Sequence, residues 1–159
     1  MVSYRDLPGD STVWIYQSTR EILPEEAKEI NEKASDFVLN WAAHGTALKA
    51  AIELFYNYFI VVFVDEKSAK ASGCSIDKSF QFIKNIESAY DLDLLNRMVV
   101  AYRNDLGIQL TRIDKFERFL QEGLVTENTI VFNNLVNTKS DFDSKWEVLL
   151  KDSWHRRML

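Results

Sequence analysis

Cysteine, histidine, proline and glycine are all scarce in this chain. Its 159 residues include one Cys (Cys74), two His (His44 and His155), two Pro and five Gly. A single Cys excludes an intramolecular disulfide and any zinc site built on paired thiolates. So few Pro and Gly leave few breaks, which predicts long elements and short connections. No Gly-x-Gly-x-x-Gly string occurs, so the Rossmann fingerprint is absent. No apolar run reaches the roughly 18–20 residues that span a bilayer. The longest, Tyr58 to Val64, is the size of a strand. Positive charge is also short: 19 Lys and Arg against 24 Asp and Glu give a net charge of -5. A chain of that balance lacks the field that attracts nucleic acid or an anionic membrane, so neither is expected as a partner. The start, Met1-Val2-Ser3-Tyr4-Arg5-Asp6, is polar and carries an acid, unlike a secretory leader, and a cytoplasmic location is expected.

Aromatic residues are abundant, with 10 Phe, 6 Tyr and 4 Trp among 47% hydrophobic residues. A domain near this length buries about 68–70% of its unfolded surface, so one core needs no metal or disulfide. Thr12 to Tyr16 is β-branched and aromatic and reads as a strand. Pro24, with Glu25 and Glu26 behind it, opens a helix, because proline suits the first helical position and acids complement the dipole there. Ala27, Ile30, Ala34, Phe37, Val38 and Trp41 form its apolar stripe, and His44-Gly45 reads as its end. Ala47–Phe55 and Tyr58–Asp65 read as an antiparallel pair joined at Tyr56-Asn57, where Asn tolerates positive φ. A second helix is predicted over Ser75–Tyr90 with Ile76, Phe80, Ile83, Ile86 and Tyr90 on its buried face. Leu95–Tyr102 reads as the next strand, followed by Ile108–Leu110. A short helix capped by Thr111 and Asp114 should end at Gly123, then a strand at Thr129–Phe132. A last helix, capped by Thr138 and Asp141, should carry Phe142, Trp146 and Leu149 on one side.

This order predicts an α+β fold. Its core is a two-layer sandwich of ferredoxin-like β-α-β-β-α-β type over about 12–103, with an α/β extension over about 104–155, all within a single domain spanning 1–159.

The densest polar cluster is Ser72-Gly73-Cys74-Ser75-Ile76-Asp77-Lys78-Ser79, where a loop runs into the second helix. Amide hydrogens at a helix start are unpaired and bind small anions. Ser72, Gly73, Ser75, Asp77, Lys78 and Ser79 are therefore candidate anion-binding residues. The same partial charge favours a thiolate, which makes Cys74 the candidate catalytic or redox group. The competing structural reading is stronger: Ser72 or Ser75 caps the helix, Asp77 complements its dipole, and Cys74 fills a small gap. The cluster is not a Walker A loop. That motif needs Gly, four residues, then Gly-Lys-Ser/Thr. Here three residues separate Gly73 from Asp77-Lys78-Ser79, and the Asp77 carboxylate would repel phosphate. A thiol enzyme needs a base. His44 reads as a dipole partner at the end of the first helix, at the opposite edge of the layer from Cys74. His155, in Asp152-Ser153-Trp154-His155, reads as a solvated tail residue. Asp65-Glu66 at a central strand end is a further acidic pair, with nothing beside it to hold a metal. Trp14, Tyr16, Phe55, Tyr56 and Tyr58 read mainly as core.

Four strings, Val13-Trp14-Ile15-Tyr16-Gln17-Ser18, Ala71–Ser79, Val131-Phe132-Asn133-Asn134-Leu135-Val136 and Lys151-Asp152-Ser153-Trp154-His155, resemble a family of small, uncharacterised bacterial proteins. Some of its members carry the label "ABC transporter ATPase". The resemblance runs from about Val13 to His155, and it implies a bacterial protein without supplying a chemistry. The expected function is a non-catalytic binding or interaction module, with a small anion or a protein as partner. The alternative is a thiol-dependent enzyme or redox sensor using Cys74. No cofactor is expected, and the sequence leaves the oligomeric state open.

Overall fold

The computed structural model describes residues 2–43, 46–67 and 73–159, with the backbone alone for 42, 43, 46 and 47. The fold is mixed α+β with two principal antiparallel sheets. The chain divides into two compact units, Met1–Leu95 with Asn137–Ser140, and Asn96–Val136 with Asp141–Leu159. Among the described residues, no helix is long and apolar enough to cross a membrane.

The first unit holds strands β1 (Thr12–Gln17), β4 (Lys49–Phe55) and β5 (Phe59–Asp65) in the order β1-β5-β4. A two-residue pair, β2 (Ala42–Ala43) and β3 (Thr46–Ala47), stands apart. Register runs from Thr12 opposite Val64 to Gln17 opposite Phe59 on one side of β5, and from Lys49 opposite Asp65 to Phe55 opposite Phe59 on the other. The predicted tight turn is present. Tyr56 and Asn57 have φ of 56° and 61°, and the Tyr58 amide donates to the Phe55 carbonyl at 3.1 Å. Two successive left-handed residues match the right-handed strand twist.

All seven residues of β5 are buried. Ile60, Val62 and Val64 pack with Ile30, Ala34 and Val38 of helix α1 (Pro24–Asn40) and with Ile83 and Ile86 of helix α2 (Gly73–Tyr90). On the alternate positions, the Tyr4 ring stacks on Phe63 at 4.7 Å and meets Phe55 edge-on at 5.3 Å. The N-terminal turn Tyr4–Asp6 is held there by the Tyr4 amide, which donates to Glu53 at 2.9 Å.

α1 ends at Asn40, before the predicted end, because Trp41 leaves the helix and turns into the core. The proposed terminator, His44-Gly45, lies outside the described residues. At the other end Leu23 has no side chain to cap with. Glu26 supplies the acceptor instead, taking the Leu23 amide at 2.9 Å and two hydrogen bonds from Arg20 at 2.8 Å. Arg20 also donates to the Tyr90 carbonyl at the end of α2.

The second unit is a four-stranded sheet of order β7-β6-β8-β9, made of β6 (Val99–Asn104), β7 (Gly107–Arg112), β8 (Ile130–Phe132) and β9 (Glu147–Leu149). Val100, Tyr102, Val131 and Leu150 pack with Phe116 of helix α3 (Ile113–Glu122). Gly123 ends α3 as the sequence predicts, with φ of 75°.

Three differences from the sequence reading concern the sheets. The strand predicted to complete the first sheet, Leu95–Tyr102, forms instead as β6 in the second sheet, between β7 and β8. The free side of β1 is met by Thr138 through an isolated bridge, and the Val13 amide donates to the Asn137 carbonyl at 3.0 Å. The predicted last helix stops at Lys145, as α4 (Lys139–Lys145), and Glu147–Leu149 extends to pair with β8. The first and third differences have one cause. The hairpin of two six-residue strands, β6 and β7, commits β6 to its sequence neighbour, and β8 then needs a second partner for its backbone groups. Thr111 also gives up its predicted capping role, since β7 runs through it and Arg112 occupies the position before α3.

The Arg20 interactions make stability acid-sensitive. Arg20, and then the Leu23 amide, hold the Glu26 carboxyl at about 2, below its ordinary 4.5. A lowered carboxyl pKa stabilises fully above the unfolded value and is lost as pH falls toward the folded one. Chemical denaturation should show Arg20→Ala costing about 1 kcal/mol at pH 7, the upper range for a solvent-screened pair, with the difference shrinking between pH 4.5 and 2. An unchanged difference at pH 2.5 would contradict this role.

Candidate functional site

The first turns of α2 carry the cluster singled out from the sequence, from Gly73 onward; Ser72 lies outside the described residues. The predicted buried face needs correction. Ile76 and Phe80 are exposed, at 38% and 43%, while Ser75 and Ser79 are buried at 2% and 4%. The helix wheel explains the choice. With about 100° per residue, Ser75, Ser79, Phe82, Ile83, Ile86 and Tyr90 fall on one side, and Ile76 and Phe80 lie to the side of that stripe. Phe82 also belongs to this face, stacked on Phe37 of α1 at 4.7 Å.

Two small residues occupy the inner face because a large one must fit beside them. The Trp41 indole is 2% exposed and its Nε1 donates to the Ser75 carbonyl at 2.9 Å. Phe37 packs on Trp41 at 5.2 Å. The Ser79 hydroxyl donates to the Ile76 carbonyl at 2.8 Å, which satisfies it without a ligand. The two serines therefore turn inward. Gly73, Cys74, Asp77 and Lys78 turn to solvent with Ile76 and Phe80. Among the described residues, nothing lies within 4 Å of where a Cβ at Gly73 would stand. Lys84, one turn beyond Phe80, places its Nζ 5.9 Å from the Phe80 ring.

The acidic pair at the end of β5 is engaged locally. Asp65 is buried and accepts the Lys67 amide at 3.0 Å, and Glu66 accepts the Thr12 hydroxyl at 2.6 Å. Lys67 forms an ion pair with Asp10 at 3.2 Å. No group of three or more His, Cys, Asp or Glu able to hold a metal occurs among the described residues. Trp14 and Tyr16 pack against the first unit's core, whereas Tyr56 is 47% exposed.

His155 overturns the solvated-tail reading. It is 1% exposed, its Nδ1 lies 2.7 Å from the Ser153 hydroxyl, and its ring stacks on Trp154 at 4.0 Å. Burial pushes its pKa down to about 4. The neighbouring Asp152 is exposed. His44 lies outside the described residues.

Comparison with family models, with characterised proteins and with solved structures finds no match.

The inward setting of α2 depends on the indole bond. Trp41→Phe keeps an aromatic ring and removes the donor to Ser75. Urea unfolding should show a loss of about 1–3 kcal/mol, the usual cost of deleting one partner of a buried hydrogen bond. A change within experimental error would contradict the anchoring role.

Proposed function

We propose that this protein is a non-catalytic interaction module whose contact surface is the outer face of α2, formed by Gly73, Cys74, Ile76, Asp77, Lys78 and Phe80. One observation carries the reading. Ile76 and Phe80, four residues apart on a helix whose opposite face is packed, both stand more than a third exposed. Large apolar side chains paired at that spacing form the contact edge of helix-mediated recognition. Asp77, three residues before Phe80, and Lys84, whose Nζ lies 5.9 Å from the Phe80 ring, supply the polar rim of such a contact. A protein partner suits this surface better than a small anion, because among the described residues the inward serines leave few side-chain donors outside.

The first unit has the order of a ferredoxin-like sheet through its first three strands, with two helices on one side, and it is proposed as a variant of that fold lacking the fourth strand. The strings quoted above support membership of the small bacterial family that this chain resembles. A lone, exposed Cys suits a reducing cytoplasm.

A photo-crosslinking residue at position 76, introduced into the full chain in bacterial cells, tests the contact surface. The account expects a discrete adduct with one protein. Phe80→Asp should abolish it while leaving the melting temperature unchanged. No adduct beyond that from a probe at the exposed Glu117 of α3 would overturn the proposal.

A second reading has its own observation. The Cys74 thiol is exposed in the first turn of an 18-residue helix, where amide hydrogens favour an anion. Iodoacetamide labelling across pH separates the two readings. Modification that remains fast at pH 6 supports thiol chemistry, and modification that tracks an ordinary thiol supports the interaction module.

A further inference from the structure

The last residues of the chain are attached in an unusual way. Beyond Leu150, whose amide donates to the Thr129 carbonyl at 2.8 Å, and Lys151, whose amide donates to the Glu127 carbonyl at 3.0 Å, the backbone bonds only to itself among the described residues. Ser153 donates to Leu150, Arg156 to Ser153 and Leu159 to Arg156. The turn Trp154–Met158 is therefore held to the second unit by side chains. Trp154 and Met158 pack partly buried against its core, and His155 is the only residue of the turn that is fully buried.

The His155 ring meets Phe116 of α3 edge-on at 6.1 Å, lies on Trp154 and touches the Ser153 hydroxyl. Its Nε2 is buried with no hydrogen-bond partner. A neutral ring loses one hydrogen bond in this setting. A protonated ring would bring a charge and a second N–H donor into a pocket with one acceptor.

Charged groups on the packed elements do not offset that cost. On α3, Asp114, Lys115, Glu117 and Arg118 flank Phe116 and are exposed. Lys151 and Asp152 in the preceding turn, and Arg156 and Arg157 on the ring's own turn, are exposed as well. On β6, Tyr102 packs on Phe116 at 5.4 Å, and burial raises its pKa, which keeps it neutral. Stacking on Trp154 favours an imidazolium, but desolvation prevails, as the ring's lowered pKa of about 4 indicates.

We propose that His155 is an acid-released latch: the neutral ring pins the Trp154–Met158 turn against α3, and its protonation frees the turn while the four-stranded sheet stays folded. The sign follows from linkage. With the folded pKa near 4 and the unfolded value near 6.5, the closed turn binds fewer protons than the open one. Closure is fully favoured above pH 6.5 and weakens as pH falls from there to about 4. The proposal is independent of the α2 contact surface.

Nuclear magnetic resonance on the full chain tests it directly. Between pH 7.5 and 4, the heteronuclear NOEs of residues 154–158 should drop to values typical of a free tail, with a midpoint between 4 and 6.5. The amides of β6, β7, β8 and β9 should keep theirs. The His155 ring should titrate in the same step, and His155→Phe should remove the step. If His155→Phe does not fold, the ring titration of the unmodified chain decides alone. A ring that titrates near 6.5 without a change in the tail would overturn the latch. Loss of the tail and the sheet in one common transition would also overturn it.

Discussion

Strand β5 loses water on both faces, and much of the first unit follows from that. Seven consecutive buried residues, Phe59 to Asp65, require a cover on each side. Ile60, Val62 and Val64 receive the apolar stripes of α1 and α2. On the other side Tyr4 lies flat on Phe63, and this explains why the polar N-terminal segment is ordered at all. Sheet and helices then fix each other. α1 ends where Trp41 must enter the core, and Trp41 fixes the rotation of α2 through the Ser75 carbonyl.

The rotation of α2 sets the proposed contact surface. A helix turned so that Ser75 and Ser79 face inward has to place Ile76 and Phe80 outward. Rotating it to bury those two would drive their bulk against the Trp41 indole and bring Phe82 away from Phe37. Interior packing tolerates little such change. The exposed apolar pair is thus a consequence of a satisfied core.

The elements most legible in the sequence were those whose signals are local. The β-branched run of β5, Pro24 with two acids behind it, the Tyr56-Asn57 turn and Gly123 each act within a few residues, and each forms where the residues predict. Pairing across the chain was less legible. Nothing local to Val99–Asn104 says that it joins β7 and β8 rather than β1, and Glu147–Leu149 becomes a strand only because β8 offers it an edge. The face of α2 was misread for a related reason. Hydrophobicity favours Ile76 over Ser75, but the space beside Trp41 favours the serine. His155 stayed hidden because its burial depends on Phe116, 39 positions away, and on Trp154 folding back over it.

The central claim is that the outer face of α2 is bare in the folded protein. Relaxation of side-chain methyl signals by a soluble paramagnetic agent measures this at single residues. Ile76 should be strongly attenuated while Ile83, two turns further along the same helix and fully buried, is protected. Equal protection of the two methyl groups would mean that the face is already covered, and would contradict the account.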